Sequence, residues 1–172
     1  MFIVVFANQV YANWLTYNDA VCGYKIQYPN DAKLTQPNPK IQDLYFPPAV
    51  LIEGHVKDKC TTKISLPIQP NTNLDGKYVY IFALNNFPNK LLENSEKVRI
   101  GNKLFYKVEH SEAGMCHYSN YYYYFFQQNR KYYALLILFA SHCAGVVDNQ
   151  IGFDLLTESQ NFSRILSSFE LI

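Results

Sequence analysis

From Trp14 onward the chain is written mostly in the two-residue period of β-strands. Tyr24-Lys-Ile-Gln-Tyr28 alternates apolar and polar side chains until Pro29 interrupts it, as a half-buried strand does. Trp14–Tyr17 predicts a short aromatic strand ahead of it, with a turn around Asn18-Asp19. Lys33–Pro48 is rich in proline and has no sustained period, so it reads as a long loop with a short strand at Ile41–Phe46. Ala49–Val56 and Thr61–Leu66 are strand-like and flank the charged Lys57-Asp58-Lys59, which predicts a hairpin there. Turn-rich Pro67–Gly76 precedes a strand over Lys77–Leu84, and Phe87–Asn94 has room for one or two helical turns.

The second half carries stronger turn signals. Val98–Ile100 and Lys103–Val108 flank Gly101-Asn102, a dipeptide that tolerates the positive φ angles of tight hairpins. A turn at Glu112-Ala-Gly114 leads into the Tyr/Phe run Tyr121–Phe126, and Asn129-Arg130 leads into Tyr132–Ala140. From Val98 the pattern therefore predicts a four-stranded antiparallel meander. The period then changes: Phe162, Ile165, Leu166 and Phe169 lie on one face of a helix. Thr157, with Gln160 three residues on, has the spacing of a capping box, which starts that helix near Glu158. Many strands closed by one amphipathic helix give an α+β class.

The same strand pattern organises the cysteines. Cys116 and His117 lie as far before Asn129-Arg130 as Cys143 and His142 lie after it. An antiparallel hairpin on that turn sets the two cysteines opposite each other, and the two histidines likewise. A Cys116–Cys143 disulfide follows from the register, and Cys22–Cys60 follows by elimination among four cysteines. No pair has the Cys-x-x-Cys spacing of a zinc ribbon or a thioredoxin-like redox site.

Length and charge narrow the classes further. A chain of 172 residues suits one domain that folds alone. A formal net charge of +1 supplies no field to gather nucleic acid or an anionic membrane surface. Met1–Ala7 is apolar, and Val10-Tyr11-Ala12 has the small-residue pattern that precedes a signal-peptidase cut. The expected organisation is thus a short, truncated export leader over 1–12, the alternative being an ordinary first strand, and one domain over 13–172, located outside the cytoplasm. No other apolar run is long enough to span a bilayer, since Ala134–Ala140 is strand-sized.

Three stretches also resemble a known family. Trp14-x-x-Tyr17, Gly23-Tyr-Lys-Ile-Gln-Tyr-Pro29 and Phe162-x-Arg-Ile-Leu166-x-Ser-Phe169 look like the opening and closing signatures of PsbP-like domains. Such domains are known from the extrinsic photosystem subunit and from bacterial exported proteins. The resemblance implies an α/β/α sandwich, with a central antiparallel sheet flanked by helices. It also implies docking to larger assemblies in place of catalysis.

Neighbouring residues of a strand point to opposite faces, so neither Cys116-His117 nor His142-Cys143 can form a thiolate–imidazolium dyad. Ser141, His142 and Asp148 fail as a triad for the same reason. A two-residue loop at Ala113-Gly114 would set His110 opposite His117, itself opposite His142, and three such imidazoles could share zinc or copper. A three-residue turn with a bulge would instead move His110 opposite Cys116 and dissolve the row. No phosphate loop, His-Glu-x-x-His or nucleotide fingerprint occurs in the sequence. Glu109 and Glu112 straddle a turn, and Asp154 and Glu158 sit where a helix start favours negative charge. Tyr121–Tyr124 offers a stacking platform on whichever face reaches solvent. Asn161-Phe-Ser163 matches a glycosylation acceptor inside the predicted helix. The sequence thus points to a non-enzymatic exported module that binds an envelope or extracellular protein. The alternatives are a histidine metal-binding protein and a small hydrolase.

Overall fold

A computed structural model describes residues 13–37, 52, 54–68, 70–93, 95–114, 116–143 and 155–172. The predicted leader at 1–12, the short strand at Ile41–Phe46 and Asp148 lie outside them. Among the described residues the protein is mostly antiparallel sheet with few helices. The strands are β1 (Trp14–Asp19), β2 (Tyr24–Pro29), β3 (Lys33–Thr35), β4 (Val56–Ser65), β5 (Leu74–Leu84), β6 (Glu96–Ile100), β7 (Lys103–Gly114), β8 (His117–Gln128), β9 (Lys131–His142) and β10 (Glu170–Leu171). Helix α1 spans Asn89–Leu92 and α2 spans Leu155–Ser168. A seven-stranded sheet runs β3-β4-β5-β9-β8-β7-β6, and a three-stranded sheet runs β1-β2-β10.

The predicted meander is β6 to β9, and its turns explain its register. Asn129 and Arg130 have φ of 52° and 59°, the two left-handed positions of a type I′ turn, and Gln128 pairs with Lys131. Gly101, at φ 61°, opens the β6–β7 turn. The reversal expected at Glu112-Ala-Gly114 lies further on. Strand β7 runs to Gly114, which pairs directly with His117, and Cys116 takes the left-handed position at φ 66°.

Other boundaries also differ from expectation. Lys57–Lys59 makes no hairpin: β4 passes through it as one strand, with a bulge between Val56, opposite Leu84, and Thr61, opposite Phe82. Lys59 absorbs the extra length at φ 60°, and the charged side chains remain exposed. Strand β1 continues through Asp19, so the first turn comes after it. There Asp19 Oδ1 accepts the Cys22 amide at 2.9 Å and the Asp19 carbonyl accepts that of Gly23 at 2.8 Å. Helix α2 begins at Leu155, which leaves Thr157 inside it rather than at its cap.

Strands β5 and β9 are buried on both sides, which is why they read as near-continuous apolar runs. Val79, Ile81, Leu135, Ile137 and Phe139 face one core with Tyr24, Ile26, Phe162, Ile165 and Phe169. Tyr80, Phe82, Leu136 and Leu138 face a second core with Ile52, Tyr121, Tyr123 and Phe125. Phe87, Leu91 and Leu92 pack against this second core from the α1 region. The small sheet and α2 are tied together by Ser168, whose Oγ accepts the Gln27 amide at 2.9 Å. Arg164 lies over the Trp14 ring at 4.0 Å.

Candidate functional site

The chemistry-bearing side chains converge at the end of the large sheet where β5 begins and β9 finishes. His117 on β8 pairs directly with His142 on β9, as the turn at Asn129-Arg130 requires. The next residues outward, Cys116 and Cys143, form a disulfide with Cα atoms 5.0 Å apart, and the Cys143 amide donates to the Cys116 carbonyl at 2.9 Å. A covalent clamp therefore sits beside the histidine pair.

Asp75 enters from the third strand. Leu74 pairs with Ser141 and Gly76 with Ala140, so Asp75 is the extra residue of a β-bulge. A bulge re-aims its side chain, and this one brings Asp75 to both histidines. His142 Nδ1 donates to Asp75 Oδ1 at 2.8 Å, and His117 Nδ1 stands 4.0 Å from Oδ2. Gly76 leaves room beside the bulge for the Tyr78 ring, which a Cβ there would displace, falling 2.4 Å from it. Asn73 continues the ladder past the bulge: its carbonyl accepts the His142 amide at 3.0 Å, and its side chain donates to the His142 carbonyl at 2.7 Å. His142 is half-buried while His117 is 76% exposed, so the first is fixed and the second can swing.

His110 does not join them. It pairs with Tyr121, stacks on that ring at 5.8 Å, and contacts Glu112 at 3.1 Å. Because β7 runs on through Glu112 and Ala113 and reverses only after Gly114, His110 lies four residues of β8 from His117, or about 13 Å. The expected row of three imidazoles is thus a pair with a carboxylate. Ser141 is buried, on the opposite strand face from His142. Sequence reasoning missed Asp75, because β5 pairs with β9 across a crossover that no local turn announces.

The second cysteine pair has a different setting. Cys22 and Cys60 form a disulfide with Cα atoms 5.5 Å apart, and both residues are buried. Tyr24 donates to Thr62 Oγ1 at 2.7 Å, and Tyr133 donates to the Cys22 carbonyl at 2.7 Å. Burial pushes the Tyr24 and Tyr133 hydroxyls above the ordinary phenol range. The tyrosine run makes no open stacking platform. Tyr121 and Tyr123 are buried in the second core, while Tyr122 and Tyr124 pack partly buried against the first. Burial raises all four phenols, so they remain neutral.

A shallow depression of about 310 Å³ lies between Asn102–Leu104 and Phe126–Gln128. The amine of Lys103 there is engaged by the Ser167 carbonyl at 3.0 Å. No helix among the described residues is long and apolar enough to cross a membrane.

No protein-family model matches the chain, and no curated protein matches it. Solved structures do. A protein of Bacteroides thetaiotaomicron VPI-5482 is similar at 12% identity and a TM-score of 0.50, covering 87% of this chain and 45% of that one. This chain therefore spans about half the length of that relative. LpqN of Mycobacterium tuberculosis, involved in cell envelope biogenesis, is similar at 10% identity and a TM-score of 0.47, covering 92% and 90% of the two chains. Cyanobacterial PsbP (CyanoP) from Synechocystis sp. PCC 6803 is similar at 12% identity and a TM-score of 0.47, covering 94% of each. At these identities the Bacteroides likeness concerns the fold alone.

Proposed function

We propose that this chain is an extracytoplasmic, non-catalytic binding module that docks to a protein of the cell envelope or its exterior. The observation that carries the reading is the clamped first turn. Cys22, bonded to Cys60, holds the adjacent Val21 out in solvent at 88% exposure. Disulfides persist in oxidising compartments and are rare in the cytosol. An apolar side chain fixed outward by such a bond loses little conformational freedom when a partner covers it. Ile172 stands half-exposed at the same corner, its amide donating to the Gly23 carbonyl at 3.1 Å. In this reading residues 1–12 are an export leader removed before Asn13, which N-terminal sequencing of the host's protein reads directly.

Site-specific photocrosslinking tests the docking. A photoreactive residue at position 21 should yield one saturable adduct with an envelope or extracellular protein of the host. An excess of unlabelled wild-type chain should suppress that adduct, and an excess of Val21→Asp should not. An absence of adduct from position 21 in envelope fractions would sink the reading. Hydrolysis of ester, peptide, glycoside or phosphate substrates that His142→Ala abolishes would replace it with a hydrolase.

A further inference from the structure

We propose that His117, His142 and Asp75 form a binding site for one divalent cation of the zinc, copper and nickel group. Directly opposed residues on antiparallel strands hold their Cβ atoms about 5 Å apart on one face. His117 and His142 are such a pair, and the neighbouring Cys116–Cys143 bond keeps the strand ends from parting. Two imidazoles are therefore held side by side before any ligand arrives.

The carboxylate completes the donor set. Metal–nitrogen and metal–oxygen bonds of about 2.0–2.2 Å in a four-coordinate site place neighbouring donor atoms roughly 3.3 Å apart. His142 Nδ1 stands 2.8 Å from Asp75 Oδ1 and His117 Nδ1 4.0 Å from Oδ2 of the same carboxylate, one distance on either side of that spacing. As they stand, no three such groups among the described residues converge on one point. The missing movement belongs to His117, whose exposed ring can close a gap of this size by a side-chain rotation. On binding, the cation takes the place of the proton between His142 Nδ1 and Asp75 Oδ1, and the neutral ring carries its proton on Nε2.

The donors select the ligand class. Two imidazole nitrogens and one carboxylate oxygen suit zinc, copper or nickel. Calcium seeks six to eight oxygens and magnesium a largely hydrated octahedron, and neither is met here. His110 has no part in the site, being held by Glu112 and Tyr121 away from the pair.

Isothermal titration of zinc chloride into the oxidised full chain tests the assignment, with calcium chloride as the contrasting probe. The expected result is a single zinc equivalent and no calcium binding. Affinity should fall at least about tenfold in His117→Ala, His142→Ala and Asp75→Asn, and stay at the wild-type level in His110→Ala. Copper loaded on the wild-type chain should show two nitrogen donors by electron paramagnetic resonance, a readout that needs no variant to fold. Absence of zinc binding, wild-type affinity in the His117→Ala/His142→Ala double variant, or an equal loss in His110→Ala would overturn the site. So would a copper spectrum with fewer than two nitrogens.

Discussion

Cys22–Cys60 and Cys116–Cys143 close loops of comparable length, with sequence separations of 38 and 27, yet their surroundings have little in common. The first joins the loop before β2 to β4 and so fastens the small sheet to the large one, among the rings of Tyr24, Tyr133 and Phe169. The second clamps two strands that already pair along their whole length, and its neighbours are imidazoles, a carboxylate and solvent. A cross-link between sheets joins elements that no strand ladder among the described residues connects. A cross-link at a hairpin's open end refines positions the ladder has already set. The difference separates a bond that holds the fold from one that holds a site.

The largest test of this contrast removes the first bond. Cys22→Ala with Cys60→Ala should cost about 4 kcal/mol through the entropy of the opened loop, read as a fall in the urea midpoint of the oxidised protein. A loss no greater than that at the other bond would break the comparison.

Alkali probes the same region without mutation. The Tyr24 hydroxyl is raised above 10 chiefly by burial, with the Thr62 hydrogen bond opposing and the charge of Asp19 adding to the shift. The unfolded chain releases this proton near pH 10 while the folded chain keeps it. The stabilisation is thus complete below pH 10 and declines above it, by on the order of 3 kcal/mol at pH 12. Ultraviolet titration of phenolate against circular dichroism should show Tyr24 ionising only as the fold is lost. Early ionisation with the fold intact would mean that this end is open to water.

The smallest effect is expected at the second bond. Cys116→Ala with Cys143→Ala opens a loop whose closure entropy corresponds to about 3.5 kcal/mol, but residual pairing about Asn129-Arg130 in the unfolded chain should reduce the loss to about 2 kcal/mol. Amide exchange should quicken near His117 and His142 and remain slow at Leu135–Ile137. Quickening throughout β8 and β9 would show that the clamp holds the whole hairpin.

Sequence legibility followed the same division. Asn129-Arg130 and Gly101-Asn102 are local turn chemistry, so the meander, its register and the facing of Cys116 with Cys143 could be read residue by residue. The reversal after Gly114 could not, because Cys116 adopts the left-handed conformation while the nearby glycine stays in the strand. That shift removed His110 from the histidine pair. Lys57-Asp58-Lys59 has the composition of a turn, but exposure at a bulge accommodates the same charges. Asp75 carried no signal, since its role depends on β5 meeting β9, more than sixty residues away in sequence, and on one unpaired residue in that ladder.

The middle strand of the small sheet has a consequence for the order of assembly. Strand β2 receives Ser168 from 141 residues away, and the Cys22 carbonyl beside it receives Tyr133 from 111 residues away. Hairpins β6–β7, β7–β8, β8–β9 and β1–β2 need only short loops to close, whereas joining β2 to β10 and α2, and docking its turn on Cys60 and Tyr133, must await contacts of higher sequence separation. The meander should therefore form early, and the small sheet be completed and docked late. Cys22 then remains exposed to thiol exchange through most of folding, and an oxidant or isomerase acting on the nascent protein would govern its last slow step.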